Sequence, residues 1–94
     1  MKHKFKFYCD AGHGWLAVKR KFLSELGILS KISRFSYERG KTVYLEEDAD
    51  ASTFIKKLKS EGINYEIVEP SKWPDRSPIR SYDCFKLKEQ EVSS

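Results

Sequence analysis

Charged and apolar residues alternate at the start of the chain. In residues 2–9, three lysines alternate with His3 and two phenylalanines, so one face of an extended segment is charged and the other is mostly apolar. Period-two alternation of this kind is typical of a half-buried β-strand. Residues 10–14, Asp-Ala-Gly-His-Gly, then predict a turn, and the apolar run at 15–18 predicts a second strand that pairs with the first as a hairpin.

Two later stretches carry apolar residues at helical spacing. The first predicts a helix over residues 19–26 that ends at Gly27, a residue suited to the position after a helix. The second predicts a helix that begins with Asp48 or Asp50 as its N-cap and ends at Gly62. The buried stripes are expected to be Val18, Phe22, Leu23 and Leu26 in the first helix, and Ala51, Phe54, Ile55 and Leu58 in the second.

Between the two helices, the pattern predicts a second hairpin. Residues 34–38 and 41–47 are its strands, because apolar positions such as Phe35 and Tyr37 alternate with polar neighbours. The turn falls at Arg39-Gly40, where the glycine accepts positive φ without cost.

A last strand is predicted over residues 63–69, which gives the order β-β-α-β-β-α-β. We therefore expect an α+β domain over residues 1–87, in which two helices pack on one face of a small antiparallel sheet. Residues 70–87 form an irregular C-terminal strap, and residues 88–94 form a disordered tail. No apolar run approaches the roughly 18 residues that span a bilayer, so no membrane association is predicted.

The basic charge is concentrated in the first part of the chain. The net charge is +4, and residues 1–41 alone carry +7. This excess of positive charge has two interpretations. The lysines and arginines lie on solvated strand and helix faces, or they bind an anionic partner such as nucleic acid. The residues that would contact a nucleic acid are Lys2, Lys4, Lys6, Lys19, Arg20, Lys21 and Arg34.

The cysteines and the N-terminal residues predict a cytoplasmic location. Residues 1–8 contain basic residues but no continuous apolar segment, so no signal peptide is predicted. Cys9 and Cys84 are far apart in the sequence, and we interpret them as reduced thiols of the cytosol.

The turn at residues 10–14 is the first candidate site. His13 between two glycines offers an imidazole that titrates near neutral pH, Asp10 could orient it, and Trp15 follows directly. A small hydrolase centred on His13 is one hypothesis. The simpler interpretation is a hairpin turn in which Asp10 bonds its own backbone and the glycines supply positive φ.

The C-terminal strap is the second candidate site. Arg76 and Arg80 flank a proline-stiffened segment, with Trp73 and Tyr82 close by in sequence. Aromatic side chains interleaved with arginines stack on bases or anchor a protein partner. The alternative is an ordered strap whose aromatic residues complete a small core.

Motifs for metal binding and nucleophilic catalysis are weak. His3, Cys9, His13 and Cys84 lack metal-ligand spacing, and no nucleophile elbow or phosphate-binding loop is present, so neither a cofactor nor a metal is predicted. The acidic run at residues 46–50 could form an acidic contact patch or a cation site. The simpler interpretation is that these acids lie where a strand ends and a helix N-cap begins.

The chain carries the motifs D-x-G-H-G-W-L, Y-x-R-G and V-Y-L-E-E-D. In these motifs, over residues 5–58, it resembles a group of small uncharacterised proteins carried by bacteriophages, plasmids and integrated elements. The chain departs from this pattern at residues 19–21, where it is strongly basic. The resemblance supplies no catalytic residues, and it implies a bacterial cytosolic setting and an anti-defence or regulatory role. We therefore expect a non-enzymatic module that contacts a protein partner through Asp10, His13, Trp15, Trp73, Arg76, Arg80 and Tyr82.

Overall fold

Six strands and two helices build the fold. A computed structural model describes residues 2–91 of the chain. The elements are β1 (His3–Cys9), β2 (Gly14–Lys19), α1 (Arg20–Glu25), β3 (Tyr37–Arg39), β4 (Thr42–Glu46), α2 (Asp50–Ser60), β5 (Tyr65–Val68) and β6 (Asp83–Cys84). Short 3₁₀ turns occur at Leu29–Lys31, Pro78–Ser81 and Glu89–Glu91. The α+β class is confirmed.

The sheet is mixed, so the expectation of an antiparallel sheet is wrong at one edge. Its strand order is β5-β1-β2-β4-β3-β6, and β5 pairs in parallel with β1. The chain leaves β4, passes through α2 and joins the sheet again beyond β1. A helical crossover of this kind returns the chain in its starting direction, whereas a tight turn would have reversed it.

One hydrophobic core joins both helices to the sheet. Leu23 of α1 packs in the same cluster as Phe54 and Leu58 of α2, together with alternate residues of three strands. The strand residues are Phe5, Leu16, Val18, Val43 and Leu45. Because strand side chains alternate between faces, the lysines of β1 lie on the opposite face of the sheet, called the open face below.

The segment before β3 differs from the predicted strand. Phe35 lies outside β3 and is 69% exposed, although alternation predicts an inward position. Ser36 takes the buried position instead: its hydroxyl donates to Asp50 Oδ2 at 2.5 Å and accepts the Glu46 N–H at 2.9 Å. These hydrogen bonds set the register of the strand.

The acids before α2 are not its N-caps, which corrects the prediction. The helix begins at Asp50 with Ala49 as N-cap, and no side chain of the cap residue bonds the helix. Glu46 instead accepts the main-chain N–H groups of Asp48 and Ala49, at 2.9 and 3.0 Å. The buried Asp50 carboxylate binds the N–H and hydroxyl of Ser33, at 3.0 and 2.7 Å. The acidic run therefore anchors a loop.

Helix α1 is shorter than the predicted span of 19–26, because Lys19 still belongs to β2. Gly27 follows the helix with φ of +74°, in the role predicted for it. The turn of the second hairpin is Gly40–Lys41, one residue later than predicted, and Gly40 has φ of +60°.

The C-terminal strap lies against the body of the domain through Ile79 and Phe85, which are both buried. Trp73 is 56% exposed and does not complete the core. The predicted disordered tail, residues 88–94, extends beyond the described residues, but its Glu89–Glu91 part forms a 3₁₀ turn. Across residues 2–91, no helix has the length and apolar character needed to cross a membrane.

Candidate functional site

Asp10 connects the turn after β1 to the C-terminal strap. Its Oδ1 accepts the main-chain N–H of Gly12 at 2.9 Å and of His13 at 3.0 Å, which is the turn bonding predicted from the sequence. Its Oδ2 accepts the N–H of Ser77 at 2.8 Å, and Arg80 donates to both oxygens, at 2.5 and 2.9 Å. The Arg80 guanidinium and these N–H groups hold the pKa of Asp10 well below its usual range. Asp10 and Arg80 therefore bind each other.

Gly12 and Gly14 allow close packing and do not supply positive φ, which corrects the prediction for this turn. Among residues 2–91, the glycines with positive φ are Gly27, Gly40 and Gly62. A Cβ on Gly14 would overlap the ring of Phe7, and a Cβ on Gly12 would lie 2.9 Å from Nη2 of Arg80. Glycine at both positions is explained by the neighbouring side chains.

His13 is exposed at the tip of the turn. Its ring centroid lies 6.1 Å from that of Trp15. Every hydrogen bond of the Asp10 carboxylate comes from a main-chain N–H or from Arg80, so Asp10 holds the backbone of His13 and not its ring. The oriented Asp-His pair that a hydrolase needs is not formed.

A pocket of about 340 Å³, called the loop-tip pocket, lies beside His13. Trp15 is 2% exposed, with Tyr37 edge-on at 6.2 Å and the Arg80 guanidinium 5.7 Å from its ring centroid. The exposed Phe35 completes the apolar part of the wall. The structure thus brings together four of the predicted protein-binding residues, Asp10, His13, Trp15 and Arg80.

The other three predicted residues lie apart from this pocket. Trp73 and Arg76 are exposed on the strap. Tyr82 packs on the open face, 5.3 Å from Tyr44, and the guanidinium of Arg39 lies 4.9 Å from its ring centroid.

The strands β1 and β2 separate at the end opposite their turn. Within the described residues they pair only over Phe7–Cys9 with Gly14–Leu16. Continuing that antiparallel register would place Lys4 directly opposite Lys19. Like charges at opposed positions are destabilising, so pairing at that position is disfavoured.

The separation opens a cleft of about 760 Å³, called the lysine cleft. Lys4 and Lys6 of β1, Lys19 of β2 and Lys21 of α1 line it, and Glu25 is the single carboxylate among the described lining residues. All four lysines are exposed, and none forms an ion pair with another residue of the 2–91 range. The cleft therefore carries a local excess of positive charge.

Aromatic rings continue from this cleft across the open face. Tyr8 and Tyr44 line the cleft, with ring centroids 6.0 Å apart, and Tyr82 follows Tyr44. We call these three residues the tyrosine row. Lysines beside aromatic rings are the combination that holds phosphates and stacks bases. Of the three rings, Tyr8 is exposed, whereas Tyr44 and Tyr82 are half-buried.

The remaining basic residues of the nucleic-acid hypothesis lie elsewhere. Lys2 faces Glu66, with Nζ and Oε1 4.0 Å apart, and Arg34 lies in the turn before β3, outside the lysine cleft. The Arg20 side chain is 8% exposed.

Arg20 is held by two carboxylates. Its Nη1 donates to Glu38 at 2.7 Å, while Nε and Nη2 donate to the two oxygens of Glu91 at 2.8 and 2.7 Å. Nη2 also donates to the carbonyl of Lys86, and the guanidinium lies 4.9 Å from the ring centroid of Phe85. The hydrogen bonds from Arg20 lower the pKa of Glu91 to about 2.

The cysteine, histidine and acidic side chains of the described part of the chain do not form a metal site. Within residues 2–91, no group of three or more histidine, cysteine or acidic side chains is close enough to hold an ion. Cys9 and Cys84 are free thiols, the second of them exposed.

Sequence reasoning missed the roles of Tyr8, Tyr44, Arg39 and Glu91. Period two could have identified the two tyrosines, because Tyr8 of β1 lies on the same face as Lys4 and Tyr44 of β4 alternates with apolar Val43 and Leu45. No local signal indicates Glu91, whose partner Arg20 is 71 residues away.

No protein-family model matches the sequence, and comparison with curated proteins and with solved structures gives no match either. We therefore infer function from the geometry of this chain alone.

Proposed function

We propose that this protein binds single-stranded nucleic acid across the open face of its sheet. Phosphates occupy the lysine cleft, and unpaired bases stack on the tyrosine row. The cleft supplies a surplus of positive charge, and the row supplies rings at the spacing of neighbouring side chains in a sheet.

The observation that carries this proposal is the set of four lysines around the gap between β1 and β2, which have no ion-pair partner among residues 2–91. Holding Lys4, Lys6, Lys19 and Lys21 round one cleft costs electrostatic free energy in the absence of an anion. A polyanion removes that cost, whereas an uncharged partner does not. Charge complementarity therefore favours a phosphate backbone.

The tyrosine row favours a single strand over a duplex. Bases of a duplex are already stacked on each other, so an aromatic ring on a sheet surface reaches their faces only when the strand is unpaired. Tyr8 is 39% exposed, which leaves ring surface for stacking. Each base stacked on an aromatic ring contributes about 1–3 kcal/mol.

Fluorescence anisotropy of a labelled oligothymidylate tests the proposal. The variant Lys4→Gln/Lys19→Gln removes two cleft charges, and Lys56→Gln/Lys59→Gln removes two exposed charges from α2 as a matched control. We expect binding by the wild type at low salt, a loss of more than about tenfold in the cleft variant and less than about threefold in the control. No binding by the wild type, or equal losses in both variants, contradicts the proposal.

The second candidate function is protein binding at the loop-tip pocket, in the anti-defence or regulatory setting that the resemblance implies. Phe35 favours it, because a phenylalanine that is 69% exposed beside an aromatic pocket is typical of a contact surface. The test is capture of a bacterial protein that Phe35→Ser abolishes and that Lys4→Gln/Lys19→Gln retains. A protein captured equally by both variants does not bind there.

A further inference from the structure

A second basic cleft adjoins the lysine cleft. It has a volume of about 490 Å³ and shares Lys19 and Lys21 with its neighbour. Lys41 and Lys88 add two more exposed lysines, and Arg20 lies at its wall. We call it the Arg20 cleft. The two clefts together form one continuous positively charged track.

Glu91 is the carboxylate of the Arg20 cleft. Its two oxygens accept Nε and Nη2 of Arg20 side by side, at 2.8 and 2.7 Å. A phosphate group binds an arginine with the same paired geometry. The Glu91 carboxylate thus takes the position that a phosphate would take.

The segment that holds Glu91 lies at the surface of the domain, because Lys88, Glu89 and Gln90 are all exposed. The turn Glu89–Glu91 contains no buried residue, and Glu91 Oε1 accepts the N–H of Lys88 at 2.7 Å. If Glu91 leaves, Arg20 keeps Glu38 and the Lys86 carbonyl as partners. If another anion replaces the Glu91 carboxylate, the positive charge of the buried Arg20 guanidinium therefore still has partners.

We infer that the Arg20 cleft is a phosphate subsite continuous with the lysine cleft, and that Glu91 occupies it as an internal competitor. This inference rests on the proposed binding of single-stranded nucleic acid. The end of the described chain then limits affinity until a phosphate of the bound strand displaces Glu91 from Arg20.

The variant Glu91→Gln tests this inference, with Glu89→Gln as its control. Both changes remove one negative charge from the same 3₁₀ turn, but Glu89 forms no ion pair among the described residues. For Glu91→Gln we expect oligothymidylate to bind roughly fivefold more tightly at about 50 mM salt, because no carboxylate has to be displaced from Arg20, with the same salt slope as the wild type. Glu89→Gln should change affinity by less than about twofold.

Hydrogen exchange on the wild type gives a reading that needs no variant. The Lys88 N–H donates to Glu91, so displacement of Glu91 by bound oligothymidylate should speed exchange at that amide. Unchanged exchange at the Lys88 amide, or equal affinities of the two glutamate variants for oligothymidylate, would overturn the inference about Glu91. If the wild type still binds oligothymidylate in that case, the proposed function stands. Absence of wild-type binding overturns both.

Discussion

Replacing Lys4 and Lys19 together by glutamine should change how steeply binding depends on salt. Each lysine of the cleft that neutralises a phosphate releases counterions, with a log–log slope of about −0.7 per contact for a single strand. Four cleft lysines, one phosphate each, give a wild-type slope of about −2.8. Raising salt from about 50 to about 200 mM should therefore weaken wild-type binding roughly 50-fold.

The variant keeps two of these four contacts. Its expected slope is about −1.4, so the same rise in salt weakens its binding only about sevenfold. At about 50 mM salt, each lost contact costs roughly eightfold, and the variant should bind about 60-fold more weakly than the wild type. The affinity gap between the two proteins closes as salt rises.

Anisotropy titrations at four or five salt concentrations measure both slopes. The α2 variant Lys56→Gln/Lys59→Gln has the same net charge as the cleft variant, so it separates local contacts from a general change in charge. Its slope should equal that of the wild type. If the slope of the cleft variant stays near −2.8, or if the α2 variant loses slope equally, the phosphates do not contact this cleft and the reasoning is refuted.

The turn after β1 gives two further predictions. Gly14→Ala should lower the free energy of unfolding by about 1–3 kcal/mol in urea titrations, because its methyl group would overlap the ring of Phe7. Gly12→Ala should cost less, since the end of the Arg80 side chain can move, and equal costs would contradict the packing explanation. Asp10→Asn should lower the melting temperature at pH 7, with a gap to the wild type that narrows progressively below about pH 4. The pKa of Asp10 is depressed in the folded state, so its stabilisation is present above its ordinary value of 3.8 and is lost as the pH falls towards its folded pKa. A gap that is constant from pH 7 to pH 2 would contradict this account.

Local patterns predicted most of the elements, because their causes lie within a few residues. The alternation in β1, the helical stripe of α2 and the positive φ of Gly27 all follow from side chains or backbone at the position itself. The parallel pairing of β5 could not be predicted this way. It depends on which sheet edge the crossover from β4 reaches, and the pattern of β5 is the same for either edge.

Register was the main source of error near the site. The inward position next to β3 belongs to Ser36 because Asp50, 14 residues later, accepts its hydroxyl. That partner is invisible to a period-two pattern, which selects the larger and more apolar Phe35 instead. The link between Asp10 and Arg80 spans 70 residues, and the sequence singled out both without pairing them.

Ion pairing separates the charged residues of this chain into two groups with different roles. Asp10 with Arg80, and Arg20 with Glu38, join distant parts of the chain, and their charges are neutralised inside the fold. The lysine cleft is the opposite case, since its four cations surround the gap between β1 and β2 and repel one another. Solvated lysines that served only solubility could spread over the surface and avoid that repulsion. We propose that their concentration beside the tyrosine row serves a ligand that combines negative charge with flat aromatic groups, as a single-stranded nucleic acid does.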